Sequence, residues 1–237
     1  MLELLAFGPG GWGDEMLTGA AMTIAVATAA FLLGVAFGAL GAWAKLSGNP
    51  YAFWPAEAYT TLARGVPELL VIYLLFFGGG GMATAIGGLF GYEDFIEPDA
   101  FTIGVLAVGA ISGAYSTEVL RGAVKTVPKG QIEAARACGM GPWLIFRRVL
   151  AALTLRYALA GLGNVWQLTL KDTALVSVTA LAEIMRMSNI AANSTRQPFL
   201  FYMTAMLLYL ALSTGSTFLF ERAERRSLRG VRGVTTA

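Results

Sequence analysis

The 237-residue chain contains no histidine and a single cysteine, Cys138. The first absence excludes histidine metal sites, Ser-His-Asp triads and imidazole proton relays. The second excludes an intrachain disulfide and a thiolate zinc cluster. No glycine precedes a lysine anywhere in the chain, so there is no phosphate-cradling GxxxxGK[ST] loop. Charge is also scarce: 14% of residues are Asp, Glu, Lys or Arg, against about 25% in an ordinary soluble domain.

What the chain has instead is apolar length. Hydrophobic residues make up 56% of it. No charged side chain occurs from Met16 to Ala44, from Leu69 to Tyr92, or from Gln197 to Phe220. Each run exceeds the roughly 20 residues that cross a hydrocarbon layer. The N-terminus lacks the basic start of a secretory signal, so the first run is read as a retained span. The pattern predicts an all-α, polytopic membrane protein forming a single transmembrane domain over residues 1–237. Its five spans fall at about 16–43, 67–89, 101–117, 149–170 and 199–220. The stretch Thr173 to Ala182 is too short to cross and reads as re-entrant or interfacial. The glycine run Gly78 to Gly81 ends an apolar span and reads as a turn.

Basic residues in short loops set orientation. With the N-terminus outside, 14 of the 17 Lys and Arg residues lie on the inner side, and Lys171, Arg186 and Arg196 remain outside. The loop between the second and third spans is acidic, with Glu93, Asp94, Glu97 and Asp99, and the tail from Glu221 to Arg232 reads as an inner-surface anchor. An N-out, C-in topology follows. The pairs Gly34/Gly38 and Gly109/Gly113 have the small-residue spacing that lets helices approach closely.

The longest inner connection, residues 121–148, is basic and nearly 30 residues long. Pro128 suits the start of a short helix, Ile132, Ala135 and Ala137 give it small and apolar groups, and Gly139 suits the left-handed residue that ends it. Physics alone leaves two readings, a helix lying on anionic lipid or one docked into a partner's groove. In the fourth span Arg156, Ala160, Asn164, Gln167 and Lys171 recur at steps of three or four, on one helical face. Asn164, Gln167 and Lys171, with Asp172, are the candidates to line a polar pathway through the bundle. The competing reading is hydrogen bonding between helices at a subunit interface. Lys171 and Asp172 could instead form a local gate or ion pair, and Glu118 has Arg121 three residues on as a candidate ion-pair partner.

Glu133-Ala134-Ala135, three residues, then Gly139, and Val149 ten positions later, resemble the EAA loop of bacterial ABC importer permeases. The motif's closing Leu-Pro is absent, the chain reading Val149-Leu150-Ala151-Ala152. Arg64-Gly65-Val66-Pro67-Glu68-Leu69 is similar to the entry to the second span in the polar amino-acid permeases. Tyr115, Glu118, Arg121 and Gly122 resemble that family's exit from the third. Gly163-Asn164 through Leu170-Lys171-Asp172-Thr173-Ala174-Leu175 resembles its fourth-span segment. The nearest branch is the Q-type subunit of the histidine, lysine/arginine and octopine/nopaline systems.

The resemblance implies a type I ABC importer permease with a cytoplasmic coupling loop in the bacterial inner membrane. Its partners would be a homologous M-type permease in a heterodimer, two cytoplasmic ATPase subunits, a periplasmic solute-binding protein and membrane lipid, with no nucleic acid. The chain itself would be non-catalytic and hold no cofactor, ATP and magnesium being bound by the ATPase. By the same resemblance Glu133 would be the polar anchor toward the ATPase, Ala134 and Ala135 would permit close packing, and Gly139 would set the bend. The alternative for Glu133 is a solvated helix carboxylate. The substrate class implied is basic amino acids or opines, with another small-solute importer as the alternative. An ATP-independent carrier is disfavoured by the lack of a proton route and of a second inverted repeat. An intramembrane enzyme lacks any paired nucleophile and base.

Overall fold

The computed structural model describes residues 2–89, 91 and 99–227, and the regular elements among them are all helical. The nine helices are α1 (Gly13–Leu46), α2 (Pro50–Gly65), α3 (Glu68–Leu89), α4 (Ala100–Thr126), α5 (Lys129–Ala137), α6 (Pro142–Ile145), α7 (Ala151–Asp172), α8 (Ile184–Thr195) and α9 (Pro198–Ser227). A π-helical turn, Phe146–Leu150, joins α6 to α7, and a 3-10 turn, Thr173–Thr179, follows α7. Among the described residues four helical stretches are long and apolar enough to cross a membrane: α1, α4, α9 and the run from Pro142 to Thr179. The bent pair α2–α3 supplies a fifth.

The bundle is organised on α1 and α4, which pack along most of their lengths. Glycines make the approach possible. A Cβ on Gly34 would sit 2.6 Å from Ser112 Oγ, and one on Gly41 would sit 2.5 Å from Thr117 Oγ1. Gly109 and Gly113 on α4 are crowded in return by Leu33 and Phe37. Lipid offers no hydrophobic gain from helix pairing, so contact of this kind holds the two spans together. Around them Val26, Ala30, Ile72, Ala107, Val108 and Val176 form a buried middle layer. Met16, Ala20, Ile184, Ala191 and Phe201 form a second cluster toward the start of α1.

Several expected boundaries shift, each for a local reason. The helix of the third expected span, α4, continues past Thr117 to Thr126 and carries the Glu118–Arg121 ion pair on its added turns. The first residues of the expected loop, 121–126, therefore continue helix α4. The second span is preceded by a separate helix, α2, which folds back along the last turns of α1 and starts with Asn49 accepting a hydrogen bond from Tyr51 N. Its axis lies at 108° to that of α3. Pro67 explains the break: it excludes α geometry at Val66, which is extended at φ −104° and ψ 141°. Gly78–Gly81 is not a turn but part of α3.

Within Thr173–Ala182, the stretch expected to be re-entrant or interfacial, Thr173–Thr179 forms a 3-10 turn that follows α7 into the bundle. Thr173, Val176 and Thr179 recur at the three-residue period of a 3-10 helix and are all buried in the bundle. Val176 fills the space left by Gly104 of α4. After Ala180 in the left-handed region the chain enters α8, which packs on α1 and α9. Asp99 caps α4 by accepting from Thr102 N. The other acidic residues of that connection, Glu93, Asp94 and Glu97, fall outside the described residues, as does the tail beyond Ser227.

Candidate functional site

The connection between α4 and α7 is an elbow. Pro128, extended at ψ 130°, starts α5 one residue before its first helical position. At the other end Cys138 N donates to Ala134 O, Gly139 N to Arg136 O, and Met140 N to Ala135 O at 3.1 Å, with Gly139 at φ +77°. Only a residue without Cβ takes that φ at no cost, and the return bond closes the helix. Ala135 is buried, while Glu133 and Ala134 are exposed. Among the described residues Glu133 makes no hydrogen bond or ion pair. The inner face of α5 rests on α6 and the π turn, where Trp143 and Phe146 stack with centroids 5.6 Å apart. With no Leu-Pro at 151–152 to remove a backbone donor, the chain passes from the π turn into α7 without leaving helical geometry.

α4 and α7, the helices on either side of this elbow, pack against each other. Thr169 Oγ1 donates to Ser112 Oγ at 3.0 Å, Val119 fills the space beside Gly161, and Ala123, Ala158 and Leu162 form a buried cluster between them. A second tie joins α4 to the α1–α2 hairpin. Lys45, its side chain 2% exposed, places Nζ 2.6 Å from Glu118 Oε1, 2.8 Å from Glu57 Oε2 and 2.5 Å from Thr60 Oγ1. The three ammonium donors thus have three acceptors from two helices. Glu118 uses its other oxygen for Arg121 Nη2 and Nε. This joint is absent from the sequence reading apart from the Glu118–Arg121 pair, because Lys45 and Glu118 are 73 positions apart. The available signal was Lys45 itself, a lone charge closing a long apolar run.

The four pathway candidates separate into two groups. Asn164 and Gln167 line a cleft of about 230 Å3 between α7 and α9, with Thr217, Phe220 and Glu224. Gln167 Nε2 donates to Ser213 O, Ser216 Oγ and Thr217 Oγ1, and its Oε1 accepts from Ser213 Oγ at 2.6 Å. Its polar atoms therefore clamp α7 to α9. Lys171 lines a larger, mostly apolar groove with Met185, Tyr202 and Tyr209. Asp172, the last residue of α7, is half-buried and lines neither of these grooves. Among the described residues no ion pair joins Lys171 to Asp172.

A family match decides what this architecture is. Residues 34–229 match the family described as the binding-protein-dependent transport system inner membrane component. The chain belongs to that family. A nopaline transport system permease protein, NocQ, of Agrobacterium fabrum is 55% identical over 236 residues, covering 98% of each chain. A histidine/lysine/arginine/ornithine transport system permease protein, HisQ, of Salmonella typhimurium is 40% identical over 222 residues, covering 94% of this chain and 97% of that one. Among solved structures, the crystal structure of an amino acid ABC transporter with histidines superposes with a TM-score of 0.76 at 29% identity, over 91% of this chain and 95% of that one. The chain is thus an ABC permease, an all-helical inner-membrane component that leaves ATP hydrolysis to a separate subunit.

One further polar joint of this permease escaped the sequence reading. Glu183, fully buried between the 3-10 turn and α8, caps α8 by accepting from Met185 N and Arg186 N, and takes the Tyr209 hydroxyl of α9 at 3.0 Å. Thr23 of α1 accepts from Ile184 N beside it. Burial pushes the Glu183 carboxyl up from 4.5 to about 7, against the lowering effect of those three hydrogen bonds.

Proposed function

We propose that this permease is one of two transmembrane subunits of an ATP-driven importer for basic amino acids or opines. Its partners are a homologous M-type permease, two cytoplasmic ATPase subunits that bind ATP and magnesium, and a periplasmic binding protein. The substrate class is supported by relatives named for nopaline and for histidine, lysine, arginine and ornithine transport. The N-terminus faces the periplasm and the C-terminus the cytoplasm, as the basic residues on the inner segments favour.

The observation that carries the coupling role is the form of α5. It is short, ended by Gly139, continuous through two residues with α4, and presents an unpaired Glu133 beside the small Ala134. Glu133 anchors the ATPase, Ala134 and Ala135 admit close contact on either face, and Gly139 fixes the elbow. Closure of the ATPase pair then displaces α4 and α7 together, and the Lys45 joint carries the displacement into α2 and α3. Asp172 at the end of α7 borders the pathway as a carboxylate suited to the cationic group of the substrate. Asn164 and Lys171 border the same pathway from α7, and Gln167 holds α9 in place beside them.

The test is reconstitution of the complete complex with its binding protein, followed by ATPase measurements with L-arginine, L-histidine, octopine and nopaline. At least one ligand should stimulate hydrolysis several-fold, and Glu133→Arg should abolish that stimulation. Solute accumulation by vesicles carrying this chain alone would refute the proposal.

A further inference from the structure

A polar cavity between α2 and α4 lies at the edge of the apolar spans. It has a volume of about 400 Å3 and is lined by residues that include Glu57, Thr61, Arg64, Tyr115, Glu118 and Arg121. Lys45 ends the uncharged run of α1, Glu118 ends that of α4, and Arg64 stands shortly before that of α3. First charges at the ends of such runs mark the boundary between hydrocarbon and headgroups. The rest of α2 agrees with that level. It is turned 108° from α3, and its Tyr51 and Trp54 are exposed, as is Trp43 on the last turns of α1. Aromatic side chains of this kind collect at the membrane interface.

Charge does not balance around the cavity. Lys45 lies between Glu57 and Glu118, and Arg121 takes the remaining oxygen of Glu118 through Nε and Nη2. Lys45, Arg64 and Arg121 thus meet two carboxylates, and the cation left over is Arg64. It is exposed, and its guanidinium stands over the Tyr115 ring, 5.5 Å from the centroid. Among the described residues no carboxylate pairs with it. The ring restricts the guanidinium plane, which lowers the ordering cost of binding. A planar fork of N–H donors matches a phosphate through two parallel hydrogen bonds, and the one excess positive charge matches the one negative charge of a phosphodiester. Glu57 gives only its Oε2 to Lys45, so its other oxygen can accept from a headgroup hydroxyl. Apolar surface for acyl chains begins just past the bend, where Leu70, Leu74 and Phe77 of α3 are exposed at steps of four and three, along one face.

We propose that this cavity is a binding site for an anionic phospholipid of the inner leaflet, with the phosphodiester on Arg64 and an uncharged, hydroxyl-bearing headgroup beside Glu57. Basic pockets between spanning helices on the cytoplasmic side hold headgroups in this way. The inference goes beyond the importer function. Only the choice of leaflet rests on the orientation proposed above, and the binding test depends on neither. A free phosphate would meet the same fork but would leave the apolar stripe of α3 unused.

The experiment uses the full chain in detergent, with the subunits that co-purify with it, and follows the binding of added phosphatidylglycerol by native mass spectrometry. The wild type should take up phosphatidylglycerol saturably and more tightly than phosphatidylcholine. Arg64→Gln should weaken the tightest phosphatidylglycerol site by about tenfold or more, the effect of losing a charged hydrogen-bond donor. Arg64→Lys should fall between Arg64→Gln and wild type, which shows that the loss is one of charge and fork geometry and not of folding. Lys125→Gln, which removes an exposed charge near the end of α4 outside the cavity lining, should change binding less than twofold. Unchanged binding in Arg64→Gln, or an equal loss in Lys125→Gln, would overturn the proposal, the second because the attraction would then be general surface charge. Displacement of the lipid by an equal concentration of inorganic phosphate or glycerol 3-phosphate would overturn it in favour of a free phosphate. Loss of a co-purifying subunit from Arg64→Gln would overturn it in favour of a protein contact, and equal affinity of the wild type for phosphatidylcholine would refute the preference for an anionic lipid.

Discussion

Lys45→Met is the substitution most revealing of how this bundle is tied together. Methionine preserves most of the apolar stem, so the loss is confined to the ammonium and its three partners. Those partners are not left equally exposed to the consequences. Glu57, with 42% of its side chain exposed, rehydrates. Thr60 Oγ1 already donates to Ala56 O and Glu57 O and loses only an acceptor role. Glu118, 22% exposed, keeps Arg121 on Oε2 but has one oxygen orphaned. Removing one member of a fully buried pair costs about 3–5 kcal/mol, and the remaining Arg121 and the accessible Glu57 reduce that here to about 2–3 kcal/mol. The assay is denaturant unfolding of the complex in detergent, with Lys45→Met, Glu118→Gln and the double variant compared. The double variant should be less destabilised than the sum of the single ones by about 1–3 kcal/mol, the coupling typical of residues in one network. Additive losses, or a Lys45→Met variant within about 0.5 kcal/mol of wild type, would refute the claim that Lys45 links α4 to the α1–α2 hairpin.

Gly139→Ala forces a Cβ into φ +77° and should cost about 1–2 kcal/mol locally; the expected readout is a fall in ligand-stimulated ATPase with basal hydrolysis retained, and an unchanged ratio would contradict it. Gln167→Leu removes the bonds to Ser213, Ser216 and Thr217, but Ser216 and Thr217 also donate to Leu212 O and Ser213 O. The loss in a denaturant titration should therefore stay near 1 kcal/mol, the scale of interhelical bonds in membranes, and a loss above about 3 kcal/mol would mean that Gln167 does more than hold α9. Glu183 gives a pH dependence. Between 4.5 and about 7 the folded chain keeps a proton that the unfolded chain has released, so stability falls as pH rises through that window and levels off above it. The unfolding midpoint should therefore be higher at pH 5 than at pH 7.5, and Glu183→Gln should flatten that slope; an identical slope in the variant would rule Glu183 out as its source.

The long spans were legible because absence of charge over some 20 residues has one main physical meaning. α1 and α9 follow their uncharged runs closely, and Gly139 ends α5 where its conformational freedom suggested. What the sequence concealed depends on contacts across the chain. Glu118 and Arg121 look like the edge of a span until Lys45 is brought beside them, and only then does a charged α4 continuing to Thr126 make sense. Gly78–Gly81 suggested a turn from intrinsic propensity, yet in a spanning helix glycine is common. The buried 3-10 turn at Thr173–Thr179 is set by the cavity beside Gly104 and Ile72, which no local pattern announces. In the fourth span the three-to-four spacing did place Asn164, Gln167 and Lys171 along the side that meets α9, while Asp172, one residue on, lines neither groove there. Periodicity identifies a shared face; it does not say which helix that face will meet.

The coupling role of α5 is tested most directly by disulfide cross-linking from Ala134→Cys in a Cys138→Ser background, with the assembled complex and an ATPase subunit carrying single cysteines along its membrane-facing surface. The account predicts a specific cross-link to that subunit whose yield changes between the nucleotide-free and ATP-bound states. No cross-link at any ATPase position, together with labelling of residue 134 by lipid-embedded reagents alone, would contradict it.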